Sequence, residues 1–358
     1  VAGTAWEVGN YTAQKIEVFL SKDQGYSWTY LSSCTETHGL PNSWGHGIWE
    51  PVFLMNESGE LGCFISDERP ANSPTNNQLI GHYVSQDGGE TWSPDIVKDV
   101  AFPHDPFARP GMQSFAQLPD GSFVMSYEMC RDATDPDHAC ETYIKRSENG
   151  FDWSPANDPG EIVQTADRRE LLHTPFVTWV DDGSDDGVLL LSGQRVVAGP
   201  TGNKDILEES GDVIFANSSL GDGEWVEIPA PVSISPTGGY APGVASCPGY
   251  SSPMVPISSE GTFLYLASTW LGVGNQCQVE FGIGEIPKSF GKIVGPGDKC
   301  LDVDKNRAAN GNSVQLWDCN IASGQRWSYM SDNTIRAFGK CLDVRHGEVN
   351  NHTPVQLW

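Results

Sequence analysis

Two glutamates stand where the sequence could support acid–base chemistry. Glu50 lies in Gly-Ile-Trp-Glu-Pro, immediately before an apolar run, and Glu128 lies in Met-Ser-Tyr-Glu-Met, at the end of another. A carboxylate at the mouth of a buried strand costs free energy unless it is paired or used in function. Glycoside cleavage needs two such groups, because one protonates the leaving oxygen while the other attacks the anomeric carbon or activates water. The alternative is ion pairing with Arg69, Arg109 or Arg195.

The glutamates must be positioned by pairs of antiparallel strands. In such a pair the start of the first strand and the end of the second lie at the same edge of the sheet. Residues at these two places therefore face one shared pocket. We predict substrate contacts there from Trp49, Arg69, Arg109, Tyr127, His173, Arg195 and Tyr240. For Tyr240, packing within a glycine-rich turn is an alternative.

Other groups that could do chemistry fit less well. Glu170 lies in a polar stretch several residues before the next apolar run, so we predict a solvated loop charge. His46, His104 and His173 do not have the spacing of zinc ligands. No phosphate-binding glycine loop and no Ser-His-Asp signature is present. We therefore expect no metal and no cofactor.

A turn that ends in tryptophan recurs along the chain. Ser-Lys-Asp-Gln-Gly-Tyr-Ser-Trp, ending at Trp28, returns as Ser-Gln-Asp-Gly-Gly-Glu-Thr-Trp, ending at Trp92. A shortened copy ends at Trp153 and a degenerate one at Trp225. The period is roughly sixty residues. We expect Asp or Asn to bond its own backbone, Gly to supply a positive φ, and Trp to fasten the sheet rather than take part in chemistry.

Between these turns, four segments have the pattern of strand, glycine turn and strand. One example is Pro51-Val-Phe-Leu, followed through Gly59 by Leu-Gly-Cys-Phe-Ile65. Short strands at a fixed long period, without helical spacing, predict an all-β chain built as a β-propeller of four-stranded blades. We expect a six-bladed propeller, incomplete at its N-terminus, with roughly four and a half blades present in residues 1–288.

From about residue 289 the repeat changes. Lys-Cys-Leu-Asp-Val occurs at 299–303 and again at 340–344, and each copy is followed by Gln-Leu-Trp, at 315–317 and at 356–358. This pattern closely resembles the ricin-type β-trefoil lectin. We therefore expect residues 289–358 to form part of a β-trefoil that continues beyond the C-terminus.

The lectin resemblance implies a sugar pocket in each repeat. An Asp accepts hydrogen bonds from sugar hydroxyls there, and an aromatic ring stacks on the sugar face. The first pocket would use Asp302, Gln315, Trp317, Asn320 and Gln325. The family often has Asn immediately before the position of Gln325, where this chain has Gly324, so the pocket is expected either to be weakened or to shift its contacts to Asn320. The alternative is that the Gln-x-Trp elements only pack the core.

The tryptophan turns resemble those of the sialidase superfamily. The blocks Gly-Ile-Trp-Glu-Pro, Arg-Pro-Gly-Met, Gln-Leu-Pro-Asp-Gly, Ser-Tyr-Glu and His-Thr-Pro-Phe are more similar to family 93 of the glycoside hydrolases. That resemblance implies a retaining exo-α-1,5-L-arabinanase that releases arabinobiose. It also implies Glu50 as acid/base and Glu128 as nucleophile.

Two alternatives remain open. A sialidase or another exo-glycosidase of the same superfamily needs a tyrosine nucleophile and an arginine cluster facing a substrate carboxylate. A propeller lectin without activity predicts that Glu50 and Glu128 lie far apart or are held in ion pairs.

Composition limits the partners and the compartment. The 358 residues carry a formal net charge of −26, which repels nucleic acid and anionic membranes but not a neutral polysaccharide such as arabinan or a pectic side chain. Nine Cys residues and four Asn-x-Ser/Thr sequons favour a secreted, disulfide-bonded glycoprotein. The pairs expected to form disulfides are Cys130 with Cys140 and Cys300 with Cys319. We expect a monomer with no membrane span.

Overall fold

The computed structural model describes residues 1–6, 13–38, 47–69, 78–130, 140–199, 206–234, 249–270 and 277–358. These residues form 27 β-strands with short 3-10 turns and no α-helix, which confirms the predicted all-β class. They contain no helix long and apolar enough to cross a bilayer. The chain divides into two compact units, Val1–Ile162 and Val163–Trp358.

The described residues of the first unit form eleven strands. They are β1 (Ala2–Trp6), β2 (Gln14–Leu20), β3 (Thr29–Thr37), β4 (Ile48–Met55), β5 (Leu61–Asp67), β6 (Leu79–Ser85), β7 (Val97–Val100), β8 (Arg109–Gln117), β9 (Phe123–Cys130), β10 (Cys140–Ser147) and β11 (Glu161–Ile162). Strands that follow one another in sequence pair antiparallel, giving the meanders β1-β2-β3, β4-β5-β6-β7 and β8-β9-β10-β11. Repeated meanders of this kind are the building pattern of a propeller.

The register brings together the strand ends that the sequence analysis singled out. At the edge of the second meander Ile48 pairs with Asp67. At the same edge of the third meander Arg109 pairs with Cys130. The start of each first strand therefore meets the end of each second strand, as expected for a pair joined by a tight turn.

The repeated turns are closed by side-chain hydrogen bonds, as predicted. Asp23 accepts a hydrogen bond from the Ser27 backbone N–H at 2.9 Å, and Asp87 accepts one from the Thr91 N–H at 2.9 Å. Hydroxyl groups of the same two partners donate as well, and together these bonds lower the pKa of both carboxyls to about 2. Asn149 accepts from two backbone N–H groups in the shortened copy.

The tryptophans of these turns fasten the sheets. Trp92 stacks on Phe53 with ring centroids 6.0 Å apart, and Trp153 and Trp225 are buried. Their structural role is confirmed. Trp28 differs, because 49% of its surface is exposed.

The core of the first unit is formed by strands whose successive side chains pack into hydrophobic clusters on opposite faces. In β5 the consecutive residues Cys63, Phe64 and Ile65 are all fully buried. Cys63 and Ile65 join one hydrophobic cluster, while Phe64 joins another that also contains Tyr127 and Trp153. A strand that buries both faces must lie between packed layers, which is the environment of an inner strand in a propeller blade.

The second unit contains the remaining sixteen strands. They are β12 (Arg169–Leu172), β13 (Phe176–Val180), β14 (Val188–Ser192), β15 (Arg195–Ala198), β16 (Val213–Asn217), β17 (Val226–Pro229), β18 (Met254–Pro256), β19 (Thr262–Trp270), β20 (Cys277–Glu285), β21 (Ser289–Gly291), β22 (Lys299–Val303), β23 (Val314–Asp318), β24 (Trp327–Tyr329), β25 (Ile335–Ala337), β26 (Lys340–Val344) and β27 (Val355–Leu357).

These strands form two kinds of sheet. Residues 163–288 contain the antiparallel pair β12-β15 and the sheets β13-β14-β16-β17 and β18-β19-β20. Residues 289–358 contain the hairpin β22-β23 and the sheet β21-β24-β25-β26-β27. A separate cluster that includes Val303, Trp327 and Leu357 packs the second group of sheets.

One buried arginine joins these two parts of the second unit. Arg169 contacts Glu209 and lies 3.4 Å from both Asp167 and Glu227. We refer to these four residues as the Arg169 cluster. The guanidinium also donates to the main-chain oxygen of Asn306 at 3.0 Å.

Asp167 strengthens the same junction. Its carboxylate accepts hydrogen bonds from the Ser323 N–H at 2.8 Å, from the Ser323 hydroxyl at 2.7 Å and from the Asn306 amide at 3.1 Å. The predicted boundary at 288/289 therefore falls inside a single compact unit, because polar groups from both sides of it satisfy one another.

Three disulfides link described residues: Cys34–Cys63, Cys130–Cys140 and Cys300–Cys319. The second and third confirm the predicted pairs. The first was missed, because its cysteines come from different sheets and no local spacing marks them. Within the described part of the chain, Cys341 has no disulfide partner.

Candidate functional site

Glu50 occupies a strained point of the edge strand. The β4–β5 register slips between Trp49 and Val52, and Glu50 within this bulge has a φ of 57°. A non-glycine residue in the left-handed region is uncommon and is retained where surrounding contacts require it. The bulge turns the glutamate out of the normal alternation of the strand.

Contacts from two meanders hold the Glu50 carboxylate. Oε2 accepts a hydrogen bond from the Ser66 hydroxyl at 2.6 Å and one from the Met112 N–H at 2.7 Å. The Gln113 amide donates to the Glu50 main-chain oxygen at 2.9 Å. Within the described part of the chain, Oε1 accepts no hydrogen bond. One oxygen is therefore anchored, while the other remains available to a ligand.

Burial raises the pKa of Glu50 above its ordinary value, and the nearby Glu68 carboxylate adds to this effect. The hydrogen bonds from Ser66 and Met112 and the positive charge of Arg109 act in the opposite direction without cancelling it. A carboxyl group that holds its proton more tightly than usual is suited to general-acid chemistry.

Glu68 contacts Trp49, Gly47 and Arg109 around the Glu50 carboxylate. It is buried, and its Oε2 accepts from the Trp49 indole N–H at 3.0 Å and from the Gly47 N–H at 3.2 Å. Its Oε1 pairs with Arg109. Glu50, Ser66, Glu68, Arg109 and Met112 are called the Glu50 cluster below.

Gly111 connects Glu50 with Glu128. A Cβ placed on Gly111 would lie 2.9 Å from Glu50 Oε2 and 3.2 Å from the Ser66 hydroxyl oxygen. Glu128 is the direct cross-strand partner of Gly111, so its side chain leaves the sheet on the same face as that Cβ. Opposed Cβ atoms are about 5 Å apart, which puts the Glu128 Cβ within about 8 Å of Glu50 Oε2. The two glutamates therefore approach one another on one face.

The two arginines of this site differ in their free donors. Arg69 uses every N–H of its guanidinium, on Asp67, Thr35, Tyr83 and the Glu36 main-chain oxygen. It therefore has no donor left for a sugar in this structure, and its predicted substrate contact lacks support.

Arg109, in contrast, is 37% exposed at its side chain. Only its Nη2 is used, on Glu68 and on Gln78, where the distance to Oε1 is 3.0 Å. Within the described part of the chain its Nε and Nη1 make no hydrogen bond. This geometry fits the predicted substrate contact.

Tyr127 does not reach the site. Its side chain is fully buried beside Tyr143, and its hydroxyl donates to the Pro159 main-chain oxygen at 2.6 Å. Adjacent residues of a strand point to opposite faces, so the neighbour of Glu128 must face the core. The predicted substrate contact of Tyr127 is corrected to a packing role.

In the second unit the structure brings His173 and Arg195 together. Arg195 pairs with Leu172 across β12 and β15, and the Gln194 N–H donates to the main-chain oxygens of both Leu172 and His173. His173 is buried with a φ of 62°. Their substrate contacts stay predictions. Tyr240 lies outside the described residues.

The expectation for Glu170 was wrong. Its side chain is fully buried in β12 rather than solvated in a loop. A short edge strand within a polar stretch has no clear hydrophobic alternation, so this burial could not be predicted from the sequence.

Four residues of the site were not predicted from the sequence: Ser66, Gln78, Met112 and Gln113. These four act through contacts between residues distant in sequence, which no spacing could indicate. Glu68 stood on the strand-end edge, but nothing local indicated that it would hold Trp49 and Arg109.

The lectin-like hairpin has a polar centre beside an exposed ring. Asp302 pairs with Gln315 across β22 and β23, and Trp317, on the same face, is 55% exposed. The Gln315 amide donates to Asp302 Oδ1 at 3.0 Å, and the Gln325 amide donates to Oδ2 at 2.9 Å. The Gln325 oxygen accepts from the Asn320 N–H. All five predicted residues therefore lie in one connected region, and only Trp317 and Asn320 are exposed.

One group of side chains has metal-like spacing. Ligand atoms of Glu128, Cys130 and Cys140 all lie within 4.8 Å of one another. The two cysteines form a disulfide, which removes the thiolates that a soft metal would need. This group therefore does not fit a metal site.

Solved structures share the fold of most of the chain. An α-L-arabinanase of Penicillium chrysogenum in complex with arabinobiose matches with a TM-score of 0.60 and 24% identity, over 79% of this chain and 70% of that one. An α-L-arabinofuranosidase of Fusarium graminearum from glycoside hydrolase family 93, also with arabinobiose, matches with a TM-score of 0.61 and 20% identity over the same shares. At this identity the likeness establishes a common fold.

Residues 289–358 match the family model of the ricin-type β-trefoil lectin domain. Among curated proteins, nigrin b of Sambucus nigra is 44% identical over 50 residues, which are 14% of this chain and 9% of that protein. The agglutinin of Ricinus communis is 40% identical over 60 residues, 16% of this chain and 11% of that protein. The chain spans about a tenth of the length of these relatives.

Proposed function

We propose that this protein is a retaining, exo-acting glycoside hydrolase. It cleaves α-1,5-L-arabinan from chain ends, releases arabinobiose and carries a lectin-like carbohydrate-binding segment at residues 289–358. The observation that carries the proposal is the approach of Glu50 and Glu128 on one face around Gly111. Retention requires two carboxyl groups about 5 Å apart, and this register permits that separation. The fold shared with arabinobiose-bound enzymes supports the choice of substrate.

Glu50 is proposed as the acid/base and Glu128 as the nucleophile. A general acid must hold a proton before the glycosidic bond breaks, and burial raises the pKa of Glu50 in that direction. Its free Oε1 would deliver the proton to the leaving oxygen. Glu128 would attack the anomeric carbon from the opposite side of the sugar and form the glycosyl-enzyme, which water then hydrolyses with Glu50 acting as base.

The charges around Glu50 favour a neutral sugar. Arg69 is paired with Asp67, and Arg109 is paired with Glu68. As the proposed nucleophile, Glu128 adds negative charge to this face, while Glu50 holds its proton as the general acid. A sialoside carboxylate would meet like charges without an unpaired arginine in the described part of the first unit, so the sialidase alternative lacks support there.

The lectin-only alternative predicts that Glu50 and Glu128 lie far apart or are held in ion pairs. The Glu50 carboxylate is instead held by a hydroxyl and a main-chain N–H, with one oxygen left free. Such an arrangement orients a carboxylate without neutralising it, and this favours catalysis.

We also propose a fold for residues 1–288, a sugar site in the lectin-like segment, and a monomeric, secreted state for the protein. Residues 1–288 would belong to a six-bladed propeller, and Asp302, Gln315, Trp317, Asn320 and Gln325 would bind a sugar. The protein would act as a secreted monomer on arabinan or on pectic side chains. The three disulfides support an oxidising compartment.

Incubation with linear arabinan and, separately, with a sialoside tests the activity by chromatography of the products. We expect arabinobiose from arabinan, and a drop in kcat of at least a hundredfold for both Glu50→Gln and Glu128→Gln. Glu90→Gln, in an exposed turn, is the matched control and should keep the wild-type rate. Release of sialic acid, or wild-type arabinobiose release by Glu50→Gln, would overturn the proposal.

An aryl α-arabinobioside separates the two roles. Its leaving group needs no proton, so Glu50→Gln should still form the glycosyl-enzyme from it, whereas Glu128→Gln should not. The reverse pattern would exchange the two assignments.

A further inference from the structure

We infer that Ser66 is the positioning residue that decides which oxygen of Glu50 faces the sugar. This inference rests on the proposed function. The Ser66 hydroxyl and the Met112 N–H converge on Oε2, at 2.6 and 2.7 Å. Two donors on one oxygen fix the rotation of the carboxylate and leave Oε1 as the reacting atom.

Burial shows that Ser66 acts through Glu50 and not on the sugar. Its side chain has no exposed surface. Its hydroxyl also lies 3.3 Å from the Gln113 amide oxygen, which places it between Glu50 and the neighbouring strand. A group enclosed in this way can orient a carboxylate but cannot contact a ligand.

Two bulges that face one another deliver the second donor. The β8–β9 register slips between Gly111 and Ser114, and Met112 within the slip has a φ of 54°. Glu50 occupies the equivalent bulge of the preceding meander, with a φ of 57°. The β8–β9 bulge donates two hydrogen bonds to the Glu50 bulge, from Met112 N–H to the Glu50 carboxylate and from the Gln113 amide to the Glu50 main-chain oxygen. Strained backbone on both sides is thus used to hold one side chain.

The charged groups around Glu50 do not duplicate this role. Glu68 and Arg109 act on it only through their charges, with opposite signs, and Glu128 faces the site from the next sheet. Ser66 is the side chain that donates directly to the carboxylate. Its removal therefore changes both the orientation and the proton affinity of Glu50.

The test compares Ser66→Ala with the wild-type protein in two measurements. We expect kcat on arabinan to fall about tenfold with little change in KM, as for the loss of one hydrogen bond to a charged group. The lost bond favoured the charged form of Glu50, so one limb of the pH profile of kcat/KM should move to higher pH by about one unit. Movement of the alkaline limb identifies Glu50 as the acid, and movement of the acidic limb identifies it as the nucleophile. Either movement supports the inference.

The second measurement does not depend on activity. In protein labelled with ¹³C at the glutamate carboxyls, the Glu50 resonance is assigned by its loss in Glu50→Gln. Its titration midpoint should rise in Ser66→Ala. Ser85→Ala, at a similarly buried serine at the end of β6 whose hydroxyl donates to Asp87, should leave the midpoint unchanged. An inactive wild-type protein with a shifted midpoint would refute the arabinanase proposal alone. An unchanged midpoint would overturn the role of Ser66.

Discussion

The Glu50 cluster and the Arg169 cluster both place carboxylates around one arginine, two in the first and three in the second, yet they differ in which hydrogen-bonding groups stay unused. In the Glu50 cluster, Arg109 keeps unused N–H groups and 37% of its side chain is exposed. In the Arg169 cluster, the arginine side chain is 5% exposed and contacts three carboxylates. Buried charge alone therefore does not identify a catalytic site. A catalytic site is identified instead by a hydrogen-bond donor or acceptor that is unused and faces solvent.

The same substitution in the two clusters should give the largest contrast. Arg169→Met leaves the buried Glu209 and Glu227 and the partly buried Asp167 without their cation, and we expect a loss of about 3–5 kcal/mol in the free energy of unfolding. Arg109→Met should cost about 1 kcal/mol, because solvent reaches that arginine and two N–H groups still bind Glu68. Urea denaturation of both variants measures the difference. Equal losses would break the distinction between the clusters.

Gly111→Ala should impair activity more than stability. The added Cβ would lie 2.5 Å from the Gln78 amide nitrogen and 2.9 Å from Glu50 Oε2, so the held carboxylate must move. Misplacement of a reacting group by a fraction of an ångström costs about ten- to a hundredfold in kcat. Gly3→Ala, where a Cβ meets nothing within 4 Å, is the control for steady-state kinetics. An unchanged kcat in Gly111→Ala would show that the contact between these sheets is looser than described.

Glu227→Gln should remove a pH dependence from the Arg169 cluster. Burial raises the pKa of Glu227 to about 7, against the opposing charge of Arg169. The native state therefore binds this proton more tightly than the unfolded chain, and the stabilisation is lost as pH rises from about 5 through 7. At pH 8 the variant should exceed the wild type by about 1–2 kcal/mol, and at pH 5 the two should agree. Thermal unfolding of the wild type and the variant between pH 5 and pH 8 measures this difference in stability. A wild type whose stability is level between pH 5 and 8 would contradict the prediction.

Arg109→Lys should give the smallest effect. The charge remains, but the Nε and Nη1 donors that face the proposed site are lost. We expect KM for arabinan to rise a few-fold while kcat stays within a factor of two, since a positioning contact is removed but no reacting group changes. Arg69→Lys serves as the comparison, and its KM should not change, because no Arg69 donor is free. A larger KM effect for Arg69 would exchange the two assignments.

These contrasts also show which parts of the fold and of the candidate site could be predicted from the sequence. The turn hydrogen bonds of Asp23 and Asp87 and the lectin-like hairpin were predictable, because each depends on residues close in sequence or at a repeated spacing. Glu50 and Glu128 were likewise predictable from their places at the ends of paired strands. The same places could not separate Arg69 from Arg109, since the difference lies in partners such as Thr35 and Tyr83.

The Arg169 cluster was not predictable for the same reason. Glu209 and Glu227 come from a loop and a strand with no shared motif, and the cluster is closed by Asn306 from the lectin-like part. Some side chains meet only because separate sheets pack together. Such contacts produce no repeating pattern in the sequence from which they could be predicted. The buried Glu170 shows the same limit in a single short strand.

The hydrogen bonds of Asp167 to Ser323 and Asn306 bear on protein engineering. A chimera cut before residue 289, the natural choice from motif boundaries, would separate Asp167 from these donors and Arg169 from its main-chain acceptor. Grafting a different binding segment onto this chain therefore calls for transferring Asn306 and Ser323 equivalents with it, or for replacing the exposed charges by apolar side chains of similar volume.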